Sequence, residues 1–226
     1  MSPRMPTFTS FALHPPIQFD SLSDQDRVRI STWSDTPLDL PERGTHFGLV
    51  QEGAAKLECS SGSFDICKGM YWSASGALRL TGGRGLIISQ LDYRGFFHLG
   101  GPIESTGRLR YIDGCTDSLL IPPVQLGDPC LNLLHIPPHT RQTTHTHPSR
   151  RIGLIVAGSG RCVTPSGEQP LHPGLAFIIA ANSLHSFYTD DEALLVIAFH
   201  PDSDFGPTHE HHPMINRTII PDREAP

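Results

Sequence analysis

His145 and His147 stand one residue apart in the stretch QTTHTHPSRRIGLIVAGSG, residues 142–160. On an extended strand, side chains at i and i+2 point to the same face, about 7 Å apart along the chain. Imidazoles so placed can bind one metal ion together, and histidine is the commonest protein metal ligand. The same pair could also sit in a solvated loop, so the spacing alone leaves both readings open. The background favours chemistry modestly. Of 13 histidines, nine lie between His139 and His212 (His139, His145, His147, His172, His185, His200, His209, His211, His212).

The composition bounds what else the chain can do. With 226 residues it is long enough for one large β domain or two ordinary ones. A net charge of −6, without a Lys/Arg run, argues against nucleic acid as a partner. No apolar run approaches the ~18 residues of a membrane span. The start, MSPRMPTFTSFALHPPIQFD, lacks an apolar leader core. The five scattered cysteines form no CxxC pair, which fits a reducing compartment and predicts a cytoplasmic protein. Gly and Pro are abundant at 21 each, and they break the apolar runs into short pieces, as many strands and turns require.

Those pieces repeat. FGLVQEGAAKLECSSGSFDICKGMYWSASGALRL (47–80) aligns without a gap on IGLIVAGSGRCVTPSGEQPLHPGLAFIIAANSLH (152–185), at an offset of 105 residues. Gly48 meets Gly153, Gly53 meets Gly158, Ser61-Gly62 meets Ser166-Gly167, and Gly69 meets Gly174. The segments GLIISQLDY and ALLVIAFHP match again at an offset of 108, so one hairpin is three residues longer in the second copy. Each copy reads as strand, turn, strand, with no sustained helical period. The predicted organisation is an N-terminal arm (1–19), a first barrel (20–118), a second barrel (119–205) and a polar tail (206–226). The segment STGRLRYIDGCTDS joins the halves.

The second copy resembles the cupin superfamily, whose first motif runs G…HxH…E…G and whose second runs G…PxG…H…N. The matching residues are His145 and His147, then Pro173-Gly174, then His185 in AANSLHSF. The resemblance covers most of 130–200 and, through the repeat, 42–93 more loosely. It implies an all-β fold of duplicated double-stranded β-helix (jelly-roll) barrels, a bicupin, with His145, His147 and His185 as ligands to a divalent metal. Fe(II) is the first expectation, with Zn, Ni or Mn as alternatives. The departures matter. Arg151 stands where the motif has its glutamate, and Thr189 stands where it has its asparagine. Such a site has three neutral imidazoles and no carboxylate. If Arg151 keeps the inward direction of the glutamate, its guanidinium suits a substrate carboxylate. In the first copy Leu40, Glu42 and Leu80 replace the three histidines, which predicts a metal-free barrel with Trp72, Arg79 and Met70 around its interior.

Strand alternation adds Asn132, Gln142 and Tyr188 as candidate substrate-binding residues. His200, at the end of the last strand, is a candidate base. In the tail AFHPDSDFGPTHEHHPMINRT, His211 could close over the barrel mouth and touch substrate. Asn182 and Ser183 are expected to shape the turn before His185. The leading functional expectation is a non-haem iron dioxygenase-type enzyme for a small, anionic, carboxylate-bearing metabolite. Cysteine dioxygenases resemble the site in their histidines, but no cysteine stands near Arg151. The stretch 111–151 loosely resembles cupins that form N–N bonds in hydrazine biosynthesis, which is one alternative. A non-catalytic small-molecule-binding cupin is the other. A homodimer remains open.

Overall fold

The computed structural model describes residues 7–22 and 27–202. The strands of the first half are β1 (Phe8–Ala12), β2 (Gln18–Leu22), β3 (Arg27–Ser34), β4 (Leu38–Leu40), β5 (Thr45–Glu52), β6 (Ala54–Cys59), β7 (Gly62–Cys67), β8 (Tyr71–Ser75), β9 (Leu78–Thr81), β10 (Arg84–Gln90) and β11 (His98–Gly100). The joining segment carries β12 (Leu109–Arg110) and a single 3-10 turn (Ile112–Gly114). The second half holds β13 (Thr116–Ile121), β14 (Cys130–Ile136), β15 (Arg151–Gly158), β16 (Gly160–Thr164), β17 (Gly167–Leu171), β18 (Leu175–Ile179), β19 (Ser186–Tyr188) and β20 (Leu194–His200). Among the described residues there is no α-helix, and no helix long and apolar enough to cross a membrane.

The strands form two jelly-roll barrels, each a large sheet facing a small one. In the first, the six-stranded sheet β11-β8-β5-β10-β3-β2 faces the four-stranded sheet β4-β9-β6-β7. In the second, the seven-stranded sheet β1-β18-β15-β20-β14-β13-β12 faces the three-stranded sheet β17-β16-β19. Strand β1 crosses over: it pairs with β18 of the second barrel, while β2 pairs with β3 of the first.

The two large sheets pack against each other. Phe47, Leu49, Leu86 and Ile88 from one meet Leu131, Leu133, Ile152, Leu154, Ile197 and Phe199 from the other in one continuous apolar cluster. Because side chains alternate along a strand, that packing commits every second residue of β14, β15, β18 and β20 to the inter-barrel core. The residues between them must point into the second barrel.

The repeat rests on two local constraints. Gly48 and Gly153 lie directly opposite Trp72 and Phe177, themselves 105 residues apart. A Cβ on Gly48 would stand 2.1 Å from the Trp72 ring, and one on Gly153 2.2 Å from the Phe177 ring. In each barrel a glycine leaves room for an aromatic ring to lie across the neighbouring strand. Gly53 and Gly158 close the same hairpin with φ of 77° and 76°, where a side chain would be strained.

The interiors differ. The first barrel is filled: Trp33 and Trp72 meet edge-to-face at 5.8 Å, packed with Leu40, Leu57, Leu80 and Ile87. Leu40 and Leu80, at the positions of His145 and His185, are buried core residues. Arg79 does not line that interior. It is exposed on the outer face of β9 and paired with Asp39 at 2.8 Å, because alternation turns it away from its inward neighbours Leu78 and Leu80.

Gly153→Ala should lower stability by roughly 1–3 kcal/mol, since Phe177 must leave its rotamer. Thermal unfolding should register this as a fall in Tm of roughly 2–12 °C.

Candidate functional site

The second barrel encloses a cavity of about 400 Å³. Leu119, Leu134, Phe177, Ile179, Phe187 and Val196 form its apolar walls. Its polar lining includes His145, His147, His185, His200, Arg151, Asn132, Asp117 and Gln142. The floor residues follow from strand parity. Asn132 on β14 and Val196 and Ala198 on β20 lie between residues given to the inter-barrel core, and Asp117 and Leu119 on β13, Leu134 on β14, His200 on β20 and Arg151 on β15 share the cavity with them.

The HxH pair does not lie within a strand. Residues 142–150 form a loop leading into β15, in which His145 makes an isolated bridge to His185. Pro148 has no N–H to extend a ladder there. The bridge is reciprocal: each residue's N–H donates to the other's carbonyl at 3.0 Å. Asn182 stands at a φ of 58° and donates its N–H to the His147 carbonyl at 2.7 Å. The turn before His185 is thereby fastened to the HxH loop. From the other side, Asp113 in the 3-10 turn accepts from the Thr143 N–H at 2.6 Å and from its hydroxyl at 3.2 Å.

The rings converge. Centroid distances are 4.6 Å for His145–His185, 4.9 Å for His145–His147 and 5.2 Å for His147–His185. Ligand atoms of the three lie within 4.8 Å of one another. His145 Nδ1 lies 2.8 Å from the Thr143 carbonyl, and His185 Nδ1 lies 2.9 Å from the Ser183 carbonyl. With Nδ1–H donating to a carbonyl, each ring presents its Nε2 lone pair, the form a metal ligand needs. Burial, reinforced by Arg151 and the other imidazoles, lowers the His147 pKa to about 3. Burial also brings His185 down to about 4, against the opposing Ser183 bond. At neutral pH both rings are uncharged. This donor set fits a divalent transition metal and offers no carboxylate.

Arg151 is buried and reaches the cavity, with Nη1 donating to the Ser149 carbonyl and hydroxyl at 3.1 and 2.8 Å and to the Arg150 carbonyl at 3.2 Å. Arg150 takes the opposite direction and donates to Ser21 of the first barrel. His200 follows Phe199, which pairs with Ile152 next to Arg151, and its ring is 6.5 Å from that of His147. Burial, then Arg151 and His147, hold it well below the ordinary imidazole range. Gln142 is buried with its side chain engaged: Oε1 accepts from the Phe187 N–H at 3.2 Å and Nε2 contacts Cys115 Sγ at 3.7 Å. Thr189, at the motif's asparagine position, is structural, accepting from the Thr140 N–H at 3.0 Å.

Tyr188 is not brought to the cavity. Its neighbour Phe187 points inward, so Tyr188 lies on the other face, within 5.1 and 5.6 Å of the Arg141 and Arg161 guanidiniums. His211 lies outside the described residues.

Sequence reasoning did not single out Asp117, or Leu109, Arg110 and Tyr111 of the joining segment, all of which line the cavity. The available signal was an acid at an alternate position of the strand TDSLLI. Burial pushes the Asp117 carboxyl up to about 7, although the bond from Asn132 Nδ2 at 3.3 Å pulls the other way.

The fold and site define a cupin-fold protein with two barrels, a three-histidine cluster in the second, and none of those ligands at the equivalent positions of the first. A family model described as the AraC-like ligand binding domain matches residues 130–210. Among solved structures, the chain is similar to the protein Ylba from E. coli (14% identity, TM-score 0.61, covering 88% of this chain and 92% of that one). It is also similar to a cupin 2 conserved barrel domain protein from Leptotrichia buccalis (10% identity, TM-score 0.59, 82% and 88%). A third similar structure is salicylate 1,2-dioxygenase from Pseudoaminobacter salicylatoxidans, solved as adducts with gentisate (11% identity, TM-score 0.56, 77% and 68%). No curated protein matches by sequence.

Asp117 generates a test. Its pKa is higher folded than its ordinary 3.8, so folding takes up a proton and stability falls as pH rises from about 4 to about 7. Asp117→Asn removes this dependence. Urea unfolding at pH 4.5 and pH 7.5 should show the variant gaining on the wild type by roughly 2 kcal/mol, about half the full linkage because the carboxyl is only partly buried.

Proposed function

We propose that the second barrel is a metal-dependent catalytic site, a non-haem iron dioxygenase-type oxidoreductase for a small carboxylate-bearing metabolite. The observation that carries this reading is a three-imidazole cluster without a carboxylate, sharing a cavity with a buried guanidinium. His145, His147 and His185 would hold the ion. Fe(II) is preferred, since the gentisate-adduct structure belongs to a dioxygenase of like fold, while Zn, Ni and Mn suit the same donors. When bound, divalent iron supplies electron transfer with O₂ and stabilises charge on a coordinated substrate.

The chain's own residues do the rest. Arg151 attracts the substrate carboxylate, and its hydrogen bonds to Ser149 and Arg150 fix its direction before substrate arrives. His200, kept neutral by burial and by Arg151 and His147, has a buried Nδ1 with no hydrogen-bond partner among the described residues and offers a polar contact to substrate. Gln142 anchors the loop to β19 at Phe187. Phe177 and Phe187, packed on each other at 5.9 Å, give the cavity an apolar wall against which a hydrocarbon body can lie. The match to a ligand-binding domain over 130–210 favours a second reading, in which the same cavity binds a small molecule without turnover.

Three measurements test the proposal. Protein purified without added metal should contain close to one divalent ion per chain, and His185→Ala should retain less than a tenth of it while keeping its circular dichroism spectrum. Arg151→Leu should weaken binding of benzoate-type acids at least tenfold with metal content unchanged. Oxygen uptake with single-ring hydroxy and amino acids should appear for the wild type only with metal loaded. Tight binding with no uptake across the panel would support the non-catalytic reading instead.

A further inference from the structure

The cavity holds a second polar locus away from the histidine cluster. Asn132 is 1% exposed, and its Nδ2 donates to Asp117 Oδ2 at 3.3 Å. That bond fixes the amide orientation and leaves Asn132 Oδ1 buried with no hydrogen-bond partner among the described residues. Asp117 Oδ1 is likewise buried and without a partner of good geometry, although the Ser118 backbone and Asn132 both lie against the carboxyl. Two orphaned acceptors side by side in a cavity wall are costly, because each has given up water without gaining a donor. Such a cost is sustained where a ligand supplies the missing donors.

The sheet fixes where this locus stands. The strand order β15-β20-β14-β13 places Asn132 two strands from Arg151 and Asp117 three strands away. Two strand spacings are about 10 Å between backbones, and the side chains reach inward across that gap. Between them the floor is Ala198, paired with Asn132 on one side and with Gly153 on the other. A small floor flanked by a guanidinium and by a pair of acceptors leaves room for one ring with polar groups at both ends.

We propose that Asp117 and Asn132 form a subsite for a primary amine, so that the barrel selects single-ring acids carrying an amino group distal to the carboxylate. This rests on the carboxylate-binding role of Arg151 given above. An amine is favoured over a hydroxyl by hydrogen-bond count. With the Asp117 carboxyl ionised, two acceptor oxygens need two donors, which one –NH₂ provides and one –OH does not. Leaving either acceptor unmatched forfeits much of the discrimination a buried polar site can give.

Isothermal titration calorimetry on the metal-loaded full chain, at about pH 8.5 where the Asp117 carboxyl is ionised, tests this with benzoate, 3- and 4-hydroxybenzoate, and 3- and 4-aminobenzoate. At least one aminobenzoate should bind tenfold or more tightly than both benzoate and the matching hydroxybenzoate. Asn132→Leu and Asp117→Leu should each bring the aminobenzoate-to-benzoate affinity ratio close to one. Aminobenzoates that bind no better than benzoate, while benzoate itself binds, would overturn the amine subsite and leave the carboxylate site standing. Failure of every acid to bind would overturn both. The wild-type comparison decides the matter even if a leucine variant does not fold.

Discussion

The face-to-face packing of the two large sheets fixes the parity of every strand under the site. Ile152 and Leu154, Leu131 and Leu133, and Ile197 and Phe199 each present one face of their strand to the other barrel. A slip of one residue would expose that apolar set and carry Arg151 and Asn132 out of the cavity. The site is therefore positioned by hydrophobic burial elsewhere. The hydrogen bonds among its own loops refine it, through the His145–His185 bridge and the Asn182 and Asp113 contacts that hold the HxH segment from both sides.

Duplication explains why one barrel can be hollow. The first barrel closes its interior with Trp33, Trp72, Leu40 and Leu80, and so can fold around a dry core. The second carries Phe177 in place of Trp72 and histidines in place of Leu40 and Leu80. It therefore keeps a polar cavity and the buried, unsatisfied atoms that go with it. Packing against a filled neighbour, and the donation of β1 to its edge, add apolar burial and strand pairing to the hollow barrel.

Much of this was legible in the sequence. The two-barrel architecture followed from glycines recurring at one offset, because glycine positions are set by backbone geometry and ring contact, which few substitutions can mimic. The convergence of the three histidines, and the inward direction of Arg151, were readable from the motif positions they occupy, whereas the strand placement expected for the HxH pair was not met. Other features were hidden. Tyr188 and Phe187 are adjacent on one short strand, and only the barrel's closure says which faces in. Asp117 looks like any polar residue near a strand start, and its burial depends on a pairing with β14 that is remote in sequence. The joining segment read as a connector because connectors lie outside cores, yet its Asp113 clamps the ligand loop.

X-ray absorption at the K-edge of the metal bound to the full-length protein tests the central claim most directly. Convergence of the rings predicts imidazole multiple scattering that fits three histidines, with metal–nitrogen distances of about 2.0–2.2 Å. The His147→Ala variant, if it retains metal, should give two. A spectrum fitted by one imidazole or none, with oxygen or sulfur donors dominating, would contradict the account.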